Sequence, residues 1–120
     1  MISLSLFADS ETIEFAPGQI IFSAGEEGNL MYVVTGGEVD IQVGPTIAET
    51  VTVGGIFGEM ALIDGHVRSA GAVARTQCKL VPVDQRRFQF LVSEMPFFAL
   101  QVMSIMAERL RHANQRIEKD

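Results

Sequence analysis

The 120-residue sequence predicts a mainly β fold with helices at its C-terminal end. Two observations indicate this: strand-like alternation broken by glycines over residues 12–83, and a change to helical periodicity over residues 84–118. Many short antiparallel strands followed by helices are typical of a Greek-key or jelly-roll β-barrel, also called a double-stranded β-helix. The length suits one domain, residues 1–120, and an apolar fraction of 48% is enough for a core.

The strands are expected to follow a helical turn at residues 1–8. Gly36-Gly37 predicts a two-residue hairpin turn that joins strands at residues 30–35 and 38–43, because such turns need positive φ. The second of these strands alternates polar and apolar residues, which predicts one face in water and one in a core. Residues 50–53 repeat the alternation, and two more strands are expected at residues 71–75 and 78–83.

Two helices are expected after the strands. Asp84 can cap a helix that reaches about Val92, with Phe88, Leu91 and Val92 on one face. A break at residues 93–96 follows, because proline disfavours helix in the preceding residue yet suits a first helical turn. From Phe97 the chain can remain helical to near Ile117.

This last helix carries two sets of regularly spaced residues. The first set is expected to pack on the barrel: Phe97, Phe98, Val102, Ile105 and Met106. The second set has heptad spacing: Leu100, Met103, Ala107, Leu110, Asn114 and Ile117. Over the first two turns we expect the second set to extend the buried face. Beyond Ala107 it becomes a narrow stripe, typical of a helix that pairs weakly with a second copy, flanked by charged residues: Glu108, Arg109, Arg111, Arg116 and Glu118.

Residues 57–70 combine features of an anion-binding cradle. Gly58 allows a ligand close to the backbone, and residues 59–62 favour one helical turn with free N–H groups that attract an anion. Arg68 is the first cationic side chain, since residues 1–67 contain ten Asp and Glu and no Lys or Arg. Its partner is either a bound anion or a salt bridge to Glu59 or Asp64.

The segment Phe57-Gly58-Glu59-Met60-Ala61-Leu62, followed by Arg68-Ser69-Ala70, resembles the phosphate-binding cassette of cyclic-nucleotide-binding domains. Bacterial catabolite activators and protein kinase A regulatory subunits carry such domains, and the likeness covers nearly the whole chain. It implies that Glu59 accepts a hydrogen bond from the ribose 2′-hydroxyl and that Arg68 and Ser69 hold the cyclic phosphate. The implied ligand-binding residues are Phe57, Gly58, Glu59, Met60, Ala61, Arg68, Ser69, Ala70 and Asn114.

The resemblance further implies a non-catalytic cytoplasmic sensor whose ligand rearranges the helices after the cradle and which regulates an effector protein that the sequence does not identify. We expect cAMP rather than cGMP, because a Thr directly after the family's Arg often accompanies cGMP preference and this chain has Ser69. The last helix should cover the base near His112. Ala113 departs from the hydroxyl residue expected there, which leaves Asn114 as the candidate base contact.

Two other functions remain open for the same barrel. A degenerate scaffold for protein contacts is disfavoured by the intact Glu59, Arg68 and Ser69. A cupin-type metalloenzyme needs several converging His and carboxylate ligands, whereas the sequence has only His66 and His112, far apart. We therefore expect no metal site, and a nucleophilic Ser69–His66 pair has no evident orienting carboxylate beyond the nearby Asp64 and no distinguished oxyanion site.

Composition disfavours several other classes of protein. The formal net charge of −6, the absence of Trp and the lack of a basic face disfavour direct nucleic-acid binding. Activators in the family carry a helix-turn-helix domain after the long helix, so an effect on transcription would require a partner or a longer chain. No apolar run approaches the roughly 20 residues of a membrane span, and no signal peptide is expected. The lone Cys78 excludes an internal disulfide and is expected in the core.

Overall fold

A computed structural model describes residues 1–119 of the chain, with side chains through residue 115. Its elements are, in order, a 3-10 helix Leu4–Phe7, β1 Ile13–Phe15, β2 Ile20–Phe22, β3 Leu30–Gly36, β4 Val39–Val43, β5 Thr46–Val51, β6 Ile56–Phe57, α1 Met60–Asp64, β7 Gly71–Ala74, β8 Cys78–Asp84, α2 Gln85–Glu94 and α3 Pro96–Lys119. The strands form two antiparallel four-stranded sheets, with strand orders β1-β8-β3-β6 and β2-β7-β4-β5. This is a jelly roll, and the predicted fold class is confirmed.

The core has two layers, one on each face of the first sheet. Because side chains alternate along a strand, the four central residues of β3 divide between the layers. Met31 and Val33 pack toward the helices, whereas Tyr32 and Val34 pack toward the second sheet. All four residues are buried, so β3 is covered on both faces and lies at the centre of the molecule.

The predicted hairpin at Gly36-Gly37 is wrong, because β3 and β4 belong to different sheets. Gly37 has φ 79° and turns the chain from the first sheet into the second. A Cβ at Gly37 would lie 2.1 Å from the Gln77 carbonyl oxygen, so close packing also requires glycine there. The two-residue hairpin is formed instead by Gly44-Pro45, where Val43 pairs with Thr46 and Gly44 has φ 60°.

The alternation in β4 also predicted the wrong environment for Asp40. Asp40 is buried at 9% exposure, although the pattern placed its face in water. The adjacent strand supplies Thr50, whose Oγ1 donates to Asp40 Oδ1 at 2.8 Å, and Arg75 Nη1 lies 3.8 Å away. The carboxylate is tolerated because it has these partners. The strand expected at residues 50–53 ends at Val51.

The predicted boundaries of α2 and α3 are confirmed to within two residues. Asp84 caps α2 by accepting from the Arg87 backbone N–H at 2.8 Å. Met95 interrupts the helix, and Pro96 begins α3. Leu91 is buried and Phe88 packs on the same core, but Val92 is exposed, contrary to the prediction.

Helix α3 buries fewer apolar residues than the sequence predicted. Phe98 and Val102 are buried, and Ile105 and Met106 pack partly against them. Phe97 is 67% exposed, because adjacent helical residues point about 100° apart and Phe98 takes the core position. Leu100 and Met103 are exposed and do not extend the buried face, so this expectation is also wrong. The side chains of Arg116, Ile117 and Glu118 lie outside the described residues.

The N-terminal segment fixes the helices against the first sheet. Ile2 and Phe7 are buried in the same core cluster as Phe98. Gln101 of α3 donates through Nε2 to Ser3 Oγ at 3.0 Å and accepts from the Ser3 backbone N–H at 3.2 Å. Within residues 1–119, no single helix has the length and apolar character of a membrane span; α2 and α3 meet that criterion only as a pair bent by 113°.

Candidate functional site

The candidate site begins at the turn between β6 and α1. Gly58 has φ 80°, a backbone conformation that residues with a Cβ rarely adopt. A Cβ at Gly58 would lie 2.8 Å from Arg68 Nη1, so the absence of a side chain lets the guanidinium approach the backbone. Glu59 follows at the N-terminal boundary of α1 and is only 3% exposed. The sequence thus predicted correctly that backbone, Glu59 and Arg68 are brought together.

Backbone hydrogen bonds to the loop between β2 and β3 position Arg68. The Arg68 N–H donates to the Glu26 carbonyl at 2.8 Å, and the Gly25 N–H donates to the Arg68 carbonyl at 2.8 Å. The guanidinium is equally constrained, since Nη1 donates to the Gly58 carbonyl at 2.9 Å and Nη2 to the Leu30 carbonyl at 2.6 Å. Arg68 is therefore held rigidly at the cradle.

Arg68 forms no salt bridge among the described residues, so of the two partners left open by the sequence, the pair with Glu59 or Asp64 is not formed. Glu59 is paired with Arg109, and Asp64 is paired with His66 at 3.1 Å. Arg68 is 7% exposed, and its Nε has no hydrogen-bond partner in the described part of the chain. Burial lowers the pKa of Arg68, an effect opposed by the charges of Tyr32, Glu26 and Glu59. The result is a buried cation whose guanidinium contacts only neutral carbonyls and an aromatic ring.

Three aromatic rings pack against one another beside Arg68. Tyr32 stacks on Phe57 with ring centroids 5.2 Å apart, and Phe22 lies 5.9 Å from Phe57. The Arg68 guanidinium lies over the Phe22 ring, 4.0 Å from its centroid. Burial raises the pKa of Tyr32, and the charge of Arg68 opposes this rise. Phe57, a predicted site residue, thus contributes both to the core and to the site.

Arg109 of α3 contacts the cradle, although in the sequence it is only one of the charges that flank the stripe on α3. Its Nη1 donates to Glu59 Oε1 at 2.5 Å, and its Nε lies 2.8 Å and 3.0 Å from the two carboxylate oxygens of Glu49. Its Nη2 donates to the Ile56 carbonyl. The guanidinium therefore joins α3 to β5, to β6 and to the cradle. Sequence reasoning missed Arg109 and Glu49 because no local motif marks either residue.

These groups enclose a cavity of about 620 Å³, a volume that suits a small organic ligand. Eight of the nine predicted site residues line it: Phe57, Gly58, Glu59, Met60, Ala61, Arg68, Ser69 and Ala70. His112 and Ala113 of α3 also line it, together with Glu49, Thr50 and Arg109. Asn114 is exposed and is not among the lining residues, so its contact with a base stays a prediction.

The remaining candidates lie outside this cavity. The His66 side chain is 81% exposed and contacts Asp64, whose pKa is lowered mainly by the backbone hydrogen bond from His66. Cys78 is buried in the core, as predicted. The residues that the structure describes include no group of three or more His, Cys, Asp or Glu side chains arranged to hold a metal ion.

Fold and site together define a class of ligand-binding module: a jelly roll whose short helix and buried arginine form an anion cradle under a C-terminal helix. The profile of the family described as "Cyclic nucleotide-binding domain" matches residues 12–95. The chain belongs to this family, which confirms the resemblance inferred from the sequence.

Regulatory proteins are among the relatives. The CRP-like cAMP-activated global transcriptional regulator of Mycobacterium tuberculosis is 27% identical over 112 residues, covering 89% of this chain and 50% of the regulator. The catabolite activator protein of Thermus thermophilus superposes with TM-score 0.80 at 27% identity, over 91% of this chain and 54% of that chain. The chain therefore spans about half the length of these two relatives.

Another solved chain has nearly the same extent. It comes from work on a cyclic-GMP-dependent signalling pathway that regulates bacterial phytopathogenesis, and it matches with 32% identity and TM-score 0.69. The match covers 98% of this chain and 92% of that one.

Proposed function

We propose that this chain is a non-catalytic sensor domain that binds a 3′,5′-cyclic nucleoside monophosphate and transmits its binding to α3. The observation that carries the proposal is Arg68, a buried cation that lines the cavity without a carboxylate partner among the described residues. A buried charge is costly unless paired, and a cyclic phosphate is an anion that a guanidinium binds well. Ser69 and the backbone near Met60 and Ala61 would complete the phosphate contacts.

Glu59 supplies the second recognition group of the proposed site. In this role its carboxylate accepts from the ribose 2′-hydroxyl beside the phosphate. Arg109 already occupies Glu59 Oε1 from α3, whereas a carboxylate offers two oxygens and about four acceptor sites. A ligand at Glu59 therefore meets α3 directly through Arg109, which provides a physical connection between binding and the helix.

The relatives support a cyclic nucleotide without deciding its base. One is described as cAMP-activated, another comes from a cyclic-GMP-dependent pathway, and an EAL enzyme 31% identical to this chain was solved in both cAMP-bound and cGMP-bound forms. Ser69 by itself favours cAMP. The groups of β5 and α3 that line the cavity also affect whether adenine or guanine is preferred.

We further propose that the domain lies in the cytoplasm and acts through an effector protein, with no direct contact to nucleic acid or membrane. A second copy of the chain is a further proposed partner, because Leu100, Met103 and Leu110 expose an apolar stripe along α3. Such a stripe is short, so pairing through it should be weak.

Calorimetric titration with cAMP and cGMP tests the proposed function. A ligand of roughly two dozen heavy atoms at about −0.3 kcal/mol each gives about −7 kcal/mol, a Kd of about 10 μM. The control ligand is the corresponding 5′-monophosphate, which lacks the cyclic phosphate and carries more charge. If neither cyclic nucleotide binds at millimolar concentration, the sensor function is excluded in favour of a scaffold for protein contacts.

A further inference from the structure

One carboxylate on the cavity wall has no part in the proposed phosphate and ribose contacts. Glu49 lies on β5 and lines the same cavity as Arg68 and Ser69. It is joined through Arg109 to Glu59, and the other polar lining groups outside residues 57–70 are Thr50 and His112. Arg68 and Glu59 account for the phosphate and the ribose, so the remaining part of a nucleotide, the base, extends toward this wall.

The carboxylate of Glu49 is held in place by Arg109. Arg109 Nε contacts both of its oxygens, at 2.8 Å and 3.0 Å. The guanidinium cannot turn away freely, since Nη1 donates to Glu59 and Nη2 donates to the Ile56 carbonyl. Arg109 is thus a positioning residue for Glu49. Each carboxylate oxygen has two lone-pair sites, so Glu49 retains acceptor capacity toward the cavity.

An ionised carboxylate only accepts hydrogen bonds, and the two purines differ in what they donate. Guanine presents adjacent donors, the ring N1–H and the exocyclic N2 amino group, to a two-oxygen acceptor. Adenine presents its N6 amino group beside the unprotonated N1, whose lone pair a carboxylate repels. A matched bidentate contact discriminates between bases far better than a single hydroxyl does.

Resting on the proposed function, we infer that Glu49 is a specificity-determining residue that selects guanine, so that the domain prefers cGMP to cAMP. This inference reverses the preference expected from Ser69. A serine hydroxyl both donates and accepts, and it lies at the phosphate end of the cavity, so its influence on the base is small. The fixed carboxylate of Glu49 therefore has the larger effect on which base is preferred.

Titration of cGMP, cAMP and inosine 3′,5′-cyclic monophosphate into wild type, Glu49→Gln and Glu49→Ala tests the inference. Wild type should bind cGMP about tenfold or more tightly than cAMP. The inosine nucleotide keeps N1–H but lacks the 2-amino group, and its affinity should fall between the two. Glu49→Ala should remove the preference. Glu49→Gln should move it toward cAMP, because a carboxamide both donates and accepts and thus matches adenine.

Glu14→Gln is the matched control, since it makes the same chemical change at an exposed position of β1 that does not line the cavity. It should leave the ratio of the cGMP and cAMP affinities at the wild-type value. Thermal melts without nucleotide establish that each variant is folded. Tighter binding of cAMP by wild type, or a ratio that Glu49→Gln leaves unchanged, overturns the inference while the sensor function stands. Binding of neither nucleotide overturns both.

Discussion

Arg68 shows how a single residue depends on the chain around it. Its guanidinium is held by the carbonyls of Leu30 on β3 and of Gly58 in the turn before α1, and by the ring of Phe22 beneath it. Each contact is with a neutral group, so no carboxylate among the described residues neutralises the charge of the guanidinium. Our proposal that Arg68 binds an anion rests on this buried, unpaired charge.

We expect Arg68→Leu to weaken nucleotide binding by about 2–4 kcal/mol, because the charge-assisted contact with the phosphate is lost. Glu59→Gln should cost less, about 1–2 kcal/mol, since a neutral acceptor remains for the ribose hydroxyl. Calorimetry on both variants measures the difference. Arg68→Lys separates charge from geometry, because lysine keeps the charge but cannot reach two carbonyls as a planar fork. Equal affinity of wild type and Arg68→Leu would place the anion elsewhere.

Gly58 and Gly65 form a matched pair for testing the cradle backbone. Both have positive φ, 80° and 72°, but a Cβ at Gly58 meets Arg68 Nη1, whereas a Cβ at Gly65 meets nothing within 4 Å. Gly65→Ala should cost only the conformational term, about 1–2 kcal/mol in the free energy of unfolding. Gly58→Ala should cost more and should also weaken nucleotide binding. Urea denaturation and titration of both variants test this, and equal effects would argue against a close approach at Gly58.

At the scale of elements, α3 combines two roles on different faces. Phe98 and Val102 pack into the core, while Arg109, about two turns beyond Val102, reaches into the cavity. The N-terminal part of α3 is therefore fixed by burial. After Ala107, residues 108–115 are exposed apart from Arg109, so their position depends largely on contacts made at the site.

Nucleotide binding should increase the protection of backbone amides over residues 107–118 against hydrogen exchange. The reason is that a ligand between the cradle and α3 adds contacts to this segment, whose residues 108–115 are exposed apart from Arg109. Amides of β3 serve as the internal control, since this strand is buried on both faces and should not respond. Unchanged protection over residues 107–118 in nucleotide-saturated protein would show that this part of α3 neither covers the ligand nor responds to it.

At the scale of the whole molecule, we expect the exposed stripe on α3 to control self-association in solution. Leu100, Met103 and Leu110 are each more than half exposed. We expect a monomer or a weak dimer without nucleotide, and Leu110→Glu should shift the equilibrium fully to monomer. Sedimentation velocity over a range of concentrations measures this. Ile20→Glu, a similar change at an exposed position of β2, should have no effect; equal effects of both variants would locate pairing elsewhere.

The fold class, the grouping of the cradle residues and most helix boundaries could be predicted from the sequence. These features are encoded locally: a glycine that needs positive φ, a capping Asp84 and a proline at residue 96 act within a few positions of the chain. The cradle could be predicted in the same way, because Gly58, Glu59 and Arg68 fall within eleven residues and their spacing indicates an anion-binding turn.

The tertiary structure alone decided which side chains meet across the cavity. Gly36-Gly37 and Gly44-Pro45 both resemble hairpin turns in sequence, and only the sheet topology distinguishes the crossover from the hairpin. Arg109 lies 50 residues after Glu59 and 60 after Glu49. Contacts at such separations depend on how strands and helices pack, which no local pattern specifies. For this reason the cradle residues and the approach of α3 near His112 could be predicted from the sequence, whereas the contacts between Glu49 and Arg109 could not.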